Sequence, residues 1–251
     1  MIELKNEQAF ATMRKAGIYL AELFEILEAL LCEGMSTLDI ELMIQKGLAE
    51  RKMISSSMGY AGYRYASCIS LNDEVVHGIP RADRRIRPGD LVKVDVCASW
   101  QGYCADMTRC YQVPPVSQAA DALVQAAQRA LDAGIACAVP GKHFTDISFA
   151  IQQEVERAGF QVVRDFAGHG IGRKMHEEPE ILNYGHPGRG PVIREGMAFA
   201  LEPMITQGNY QVRVDRDGWT ARTVDGSLSA HVEDTILVTA RGPEVTTRMK
   251  K

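Results

Sequence analysis

The sequence is short of the signals that mark several large classes of protein. No apolar run approaches the roughly 18 residues that a membrane-crossing helix needs, so no membrane association is expected. The opening "MIELKNEQAF" has no basic stretch followed by an apolar one, and no secretory leader is expected. Six cysteines (Cys32, Cys68, Cys97, Cys104, Cys110 and Cys137) include no CxxC pair and no dense spacing. That pattern argues against a disulfide framework and fits a reducing, cytoplasmic setting. A formal net charge of -4 provides no strongly basic face, so DNA is not an expected partner. Low-complexity segments and linkers are also missing.

What is present is ample apolar material: 46% of the 251 residues are hydrophobic and 24% charged, enough for a sizeable core. Residues 5–32 read as a long amphipathic helix, with Ile18, Leu23, Ile26, Leu27, Leu30 and Leu31 as its apolar stripe. "GMSTLDIELMIQKGLAERK" reads as a second helix, N-capped by Ser36 or Thr37. Residues 54–66 are loop-like and hold three tyrosines. Strands are predicted near 67–71, 91–97 and 103–112, helices over 117–137 and 144–158, and a hairpin through "RDGW".

An internal echo runs through the chain. "GMSTLDIELMIQ" (34–45) aligns with "GKHFTDISFAIQ" (141–152), and "RPGDLVKVDV" (87–96) with "REGMAFALEP" (194–203), both at an offset of 107. Two matches at one offset point to a duplicated helix–helix–strand unit, with halves near 5–112 and 117–240 inside one domain spanning 1–251. The echo sets Asp95 and Glu202 in equivalent places.

The stretch "KVDVCASWQGYCADMTRCY" carries Asp95 and Asp106 in strands that otherwise read as buried. A hairpin centred between Trp100 and Gln101 sets one opposite the other, Cβ atoms about 5 Å apart, where like charges repel. A cation between them removes both that repulsion and the cost of burying either charge. The alternative is an edge strand with both carboxylates in water. Glu202 in "FALEPM", Glu233 in "HVEDTILV" and His169 between the glycines of "AGHGIG" extend the set of candidate ligands. Four carboxylates and one imidazole balance two divalent ions, and the histidine favours Mn, Fe, Co or Zn over Mg or Ca. Two ions about 3.5–4 Å apart need bridging carboxylates, and such pairs activate a water for hydrolysis. Among the other histidines, His77 ("VVHGIP") and His176 ("KMHEEP") lie in loops suited either to stabilising an intermediate or to the plain surface. His231 lies two residues from Glu233, on the same strand face, either touching the site or serving structure. His143 falls at a helix start and His186 in a loop; neither suggests a role.

Together "GHGIGRKMHEEP", "LEPM", "SAHVEDTI", "LNDEVVHGIP" and the "VDV…GYCADMTR" pair resemble the type I methionine aminopeptidases of bacteria, over residues 5 to 245. The resemblance implies an α/β (α+β) pita-bread fold, two pseudo-twofold halves around a central antiparallel sheet, and a monomer. It implies removal of the initiator methionine from nascent polypeptides at the ribosome, with a small second residue preferred, by metal-activated hydroxide. It makes Asp95, Asp106, His169, Glu202 and Glu233 metal ligands, with Asp106 and Glu233 bridging and Glu202 also moving protons. His77 then serves near the scissile nitrogen and His176 near the scissile carbonyl. Tyr60, Tyr63, Cys68 and Trp219 line a methionine pocket, and Asn72 with Ser229 sit where some members hold a monovalent cation. Met175 and His231 depart from the usual bacterial pattern. Two competing readings are a proline-specific peptidase of the same fold and a metal-free domain that only binds peptides.

Overall fold

A computed structural model describes residues 2–249. In chain order the elements are α1 (Glu7–Leu30), α2 (Thr37–Glu50), β1 (Ile54–Ser55), β2 (Cys68–Leu71), β3 (Glu74–Val76), β4 (Leu91–Trp100), β5 (Tyr103–Gln112), α3 (Gln118–Cys137) and α4 (Phe144–Arg157). They continue as β6 (Gln161–Val162), β7 (Gly168–Gly170), β8 (Glu177–Ile181), β9 (Ala198–Leu201) and β10 (Met204–Thr206). The chain then closes with β11 (Val212–Val214), β12 (Ala221–Thr223), β13 (Ser229–His231), β14 (Asp234–Thr239) and β15 (Gly242–Val245). Every strand pair is antiparallel, but the strands hydrogen-bond as four sheets rather than one. The hairpin through "RDGW" is present as β11–β12.

The helices start where their caps dictate. The Asn6 side chain accepts from the Ala9 N–H, and Ser36 and Asp39 form a reciprocal capping box that opens α2. The expected stripe of α1 is only partly right. Leu23 and Leu27 are buried, whereas Ile18, Ile26 and Leu30 face solvent at 37, 45 and 54% exposure. The buried arc instead runs through Phe10, Met13, Ala16, Gly17, Leu20 and Phe24. Its small members mark close packing: a Cβ on Gly17 would sit 2.5 Å from the Thr246 carbonyl oxygen. A stripe defined by large residues misses that face.

Two large buried clusters make most of the core, beside two smaller ones. One joins α1 and α2 to β2, β4 and β5, through residues such as Leu20, Ile40, Ile69, Val94 and Met107. The other joins α3 and α4 to β9, β10, β13 and β14, through Leu123, Ile147, Phe199, Ile205 and Ile236. Features 107 residues apart recur in both. Thr37–Glu50 corresponds to Phe144–Arg157, and the isolated bridge Ser36–Arg85 to His143–Val192. Gly34 and Gly141 take φ of 88° and 91°, and Gly89 and Gly196 both take 88°, backbone that a side chain would strain.

One buried carboxylate fastens the segment in front of β2. Glu41 on α2 is fully buried and accepts from the Ala66 N–H at 2.7 Å, the Ser67 N–H at 3.0 Å and the Ser67 hydroxyl at 2.5 Å. Glu41→Ala leaves those donors buried without acceptors. It is expected to lower unfolding free energy by about 2 kcal/mol, read from urea titration; an unchanged midpoint contradicts the anchoring role.

Candidate active site

The β4–β5 hairpin carries the first two carboxylates, and its register differs from the expectation. Trp100 pairs with Tyr103, and Gln101 and Gly102 form the turn with φ of 47° and 79°. A two-residue turn with both central residues left-handed matches the twist of the flanking strands. Asp95 therefore faces Thr108, and Asp106 faces Cys97, instead of one another. The shift is an even number of residues, so both aspartates stay on one face as diagonal neighbours. Asp106 is buried and Asp95 half-buried, which rules out the edge-strand alternative.

The second half brings three more groups to this face. Glu202 follows the end of β9, and Glu233 lies between β13 and β14, where its backbone bridges to Thr108. His169 stands in the middle of β7. The glycines on either side let three strands close around it: a Cβ on Gly168 would meet the Ala200 carbonyl oxygen at 2.5 Å, and one on Gly170 the Glu178 carbonyl oxygen at 2.1 Å. Ligand atoms of Asp106, His169 and Glu233 lie within 4.8 Å of one another. His169 Nε2 is 3.4 Å from Glu202 Oε1 and 3.8 Å from Asp106 Oδ2. Asp95 lines the same cavity.

Cross-links between the halves hold the cluster. The Asp106 N–H donates to Thr235 Oγ1 at 2.8 Å, and that hydroxyl donates to the Asp106 carbonyl at 2.9 Å. Thr108 Oγ1 donates to Glu233 Oε2 at 2.9 Å, and Arg109 donates to the Glu233 carbonyl at 2.6 Å and to Asp234 at 2.7 Å.

Left to themselves these groups are mutually unfavourable. Burial, together with the neighbouring carboxylates, pushes Asp95, Glu202 and Glu233 well above the usual carboxylate range. Burial pushes Asp106 up to about 7. Burial and the nearby His176 hold His169 down at about 4, so its ring is neutral. Its Nδ1–H has the Gly170 carbonyl at 3.0 Å as acceptor, which leaves a bare Nε2 lone pair facing carboxylate oxygens. Glu233 Oε1 is buried with no hydrogen-bond partner. Lone pairs converging from four residues, with one imidazole set by a backbone acceptor on its far side, fit divalent metal ions.

A cavity of about 130 Å³ beside the cluster is also lined by Tyr60, Tyr63, Cys68 and Trp219. Tyr63 and Trp219 meet edge to face at 4.9 Å, and the Tyr63 hydroxyl donates to the Ser67 carbonyl at 2.9 Å. His77 and His176 line the cavity as well. His77 adopts φ of 59°, a strained conformation of the kind that gathers at working sites, with its ring edge-on to Phe166 and Trp219 at 5.4 and 6.4 Å. Burial lowers it to about 4. His176 Nδ1 is 3.0 Å from the Tyr60 hydroxyl, and its ring lies 4.4 Å from that of His169. His231 lies beside Glu202 rather than in this lining, buried and lowered to about 3 by burial, its Nε2 3.6 Å from Glu202 Oε2 and otherwise unpartnered. All the candidate ligands, both candidate catalytic histidines and the four pocket residues thus share one space.

Three neighbours carried no flag in the sequence. Cys97 lines the cavity, and period-two alternation from Asp95 is the signal that places it there. Phe166 packs on His77, with no sequence cue. Lys93 is the third. Asn72 and Ser229 do not face an open monovalent-cation site: both their carbonyls accept from the Lys93 ammonium, at 2.7 and 3.0 Å.

The comparisons with known proteins agree with this geometry. The profile of metallopeptidase family M24 matches residues 11–240. The methionine aminopeptidase of Clostridium acetobutylicum is 40% identical over 247 residues, covering 98% of this chain and 99% of the relative. The crystal structure of a Thermotoga maritima methionine aminopeptidase superposes with a TM-score of 0.97 at 40% identity, covering 99% of this chain and all of that one. Prolidase from Pyrococcus furiosus shares the fold alone, at a TM-score of 0.80 and 19% identity, with this chain covering 66% of its length. With the pita-bread architecture, the converging candidate ligands and these full-length matches together, the chain belongs to metallopeptidase family M24, among its methionine aminopeptidases.

Proposed function

We infer that this chain hydrolyses the first peptide bond of polypeptides that begin with methionine. The convergence of Asp106, His169 and Glu233 within 4.8 Å, with Glu202 and Asp95 beside them, carries that reading. Two divalent ions, held by these five residues, would balance four carboxylates. Such ions supply Lewis-acid polarisation of a carbonyl and a nucleophilic water at neutral pH.

The protein's own groups supply the rest. The aromatic and sulfur lining of the cavity, from Tyr60, Tyr63, Trp219, Cys68 and Met175, suits one flexible thioether side chain. Glu202, in its carboxylate form, takes the proton of the attacking water and returns it to the leaving amine. His176, neutral and next to the Tyr60 hydroxyl, orients the scissile carbonyl. His77, kept neutral by burial, donates to the intermediate from the nitrogen side. His77→Ala is therefore expected to lower kcat by about 10²-fold at unchanged metal stoichiometry; an unchanged rate removes it from the mechanism.

Nascent chains at the ribosome in the cytoplasm are the proposed substrates, with a small second residue preferred and a monomeric enzyme built as one domain of two related halves. Six free cysteines accord with that compartment. The deciding experiment is methionine release from Met-Ala-Ser by chelated protein, re-supplied ion by ion with Mn, Fe, Co and Zn, beside X-Pro peptides. Release restored by a divalent ion supports the reading. Silence with every ion, or faster X-Pro cleavage, overturns it.

A further inference from the structure

Lys93 is an ammonium among carbonyls. Its side chain is almost fully buried, at 1% exposure, in the strand that carries Asp95 two residues later. Nζ has three acceptors: the Asn72 carbonyl at 2.7 Å, the Ser229 carbonyl at 3.0 Å and Ser229 Oγ at 3.2 Å. An ammonium has three protons and no lone pair, so the match is one to one. None of the three partners is a carboxylate. The Asn72 carbonyl also accepts from the Ser229 N–H at 3.0 Å, which uses its second lone pair. That leaves the Ser229 hydroxyl to donate to the Glu74 carbonyl at 3.1 Å. Carbonyl oxygens converging from separate segments repel one another and need a positive centre. Here the positive centre is covalently attached.

We propose that Lys93 is a tethered monovalent cation: its ammonium fills a carbonyl cradle that would otherwise bind a free K⁺- or NH₄⁺-sized ion, and it makes the active site independent of such ions. The cradle joins the backbone leading to each side of the site. Strand β4 runs on from Lys93 to Asp95, Ser229 begins the strand ending at His231 and followed by Glu233, and Asn72 and Glu74 lead to His77. Asn72 is itself held in place, at φ of 53°, by a side chain that accepts from the Leu91 N–H and donates to Asp90. Lys93 touches no reacting group and is a positioning residue.

The test exchanges monovalent cations at a fixed divalent-ion concentration. Wild-type protein in choline chloride should melt at the same temperature, and turn over Met-Ala-Ser at the same rate, as in KCl or NH₄Cl. Lys93→Ala should melt lower in choline and lose turnover about 10-fold, with both restored saturably by K⁺, NH₄⁺ or butylammonium. Lys93→Met, which fills the stem without the charge, should be impaired and should not respond to any of these ions. If Lys93→Ala does not fold in choline, its refolding yield in KCl against choline is the same readout. Wild-type loss of stability in choline, equal behaviour of Lys93→Ala in choline and KCl, or wild-type behaviour of Lys93→Met would each overturn the proposal.

Discussion

An Asp106→Asn protein should release methionine from Met-Ala-Ser at least about 10³-fold more slowly than wild type, about 4 kcal/mol of lost transition-state stabilisation. The substitution keeps the volume of the side chain and removes one charge from the centre of the cluster. Asp106 is the carboxylate that shares a ligand-atom grouping with both His169 and Glu233. Its Oδ1 already accepts from the Met107 N–H at 3.1 Å, so an amide can keep that bond only by turning its NH₂ toward the His169 side. Donor protons would then face the space that lone pairs line in the wild type. Divalent-ion affinity should fall with the rate, measurable by calorimetric titration. Meanwhile the metal-free variant should be more stable than metal-free wild type at neutral pH, since one buried carboxyl with a raised pKa is gone. Wild-type metal stoichiometry together with a wild-type rate would remove Asp106 from the centre.

The site was more legible in the sequence than the strands that carry it. Asp95, Asp106, His169, Glu202 and Glu233 stand out because ionisable groups in apolar runs contradict their surroundings, and such contradictions survive errors of register. The hairpin shows this. Its turn lies at Gln101–Gly102, so Asp95 faces Thr108, and yet the two aspartates keep one face because the displacement preserves parity. The 107-residue echo was similarly robust, since the paired glycines are fixed by backbone conformation rather than by packing. The exposure of Ile18, Ile26 and Leu30 was not legible: which arc of a long helix is buried depends on what crosses it, and Ala16 and Gly17 mark that crossing without adding hydrophobicity. Lys93 and Glu41 were invisible for a related reason. A charged residue in an amphipathic pattern reads as a solvated one, and only the tertiary arrangement shows that three acceptors surround one and four donors, the Gln45 amide among them, the other.

Chelated protein should lose stability as pH rises, and the metal-loaded protein should not. Asp95, Glu202 and Glu233 have folded pKa values well above their ordinary ones, and Asp106 lies at about 7. A carboxyl whose pKa is raised on folding keeps a proton that the unfolded chain has released, so each retained proton costs about 1.4 kcal/mol of stability per pH unit. His77, His169 and His231 act in the opposite direction, because their folded pKa values lie below 6.5; they destabilise only as pH falls beneath that value. Above it they are neutral in both states and drop out. Over about pH 6.5 to 8.5 the chelated protein's stability therefore falls, and more steeply the more carboxyls keep their protons. Divalent ions displace those protons when they bind, which abolishes the slope and adds binding free energy, about 4 kcal/mol at a thousandfold excess over Kd. Urea titrations in EDTA and in Mn²⁺ across that range decide the matter. A chelated protein whose stability is flat or rises with pH would mean that the four carboxylates are already at ease without metal, and the electrostatic basis for a metal centre would be lost.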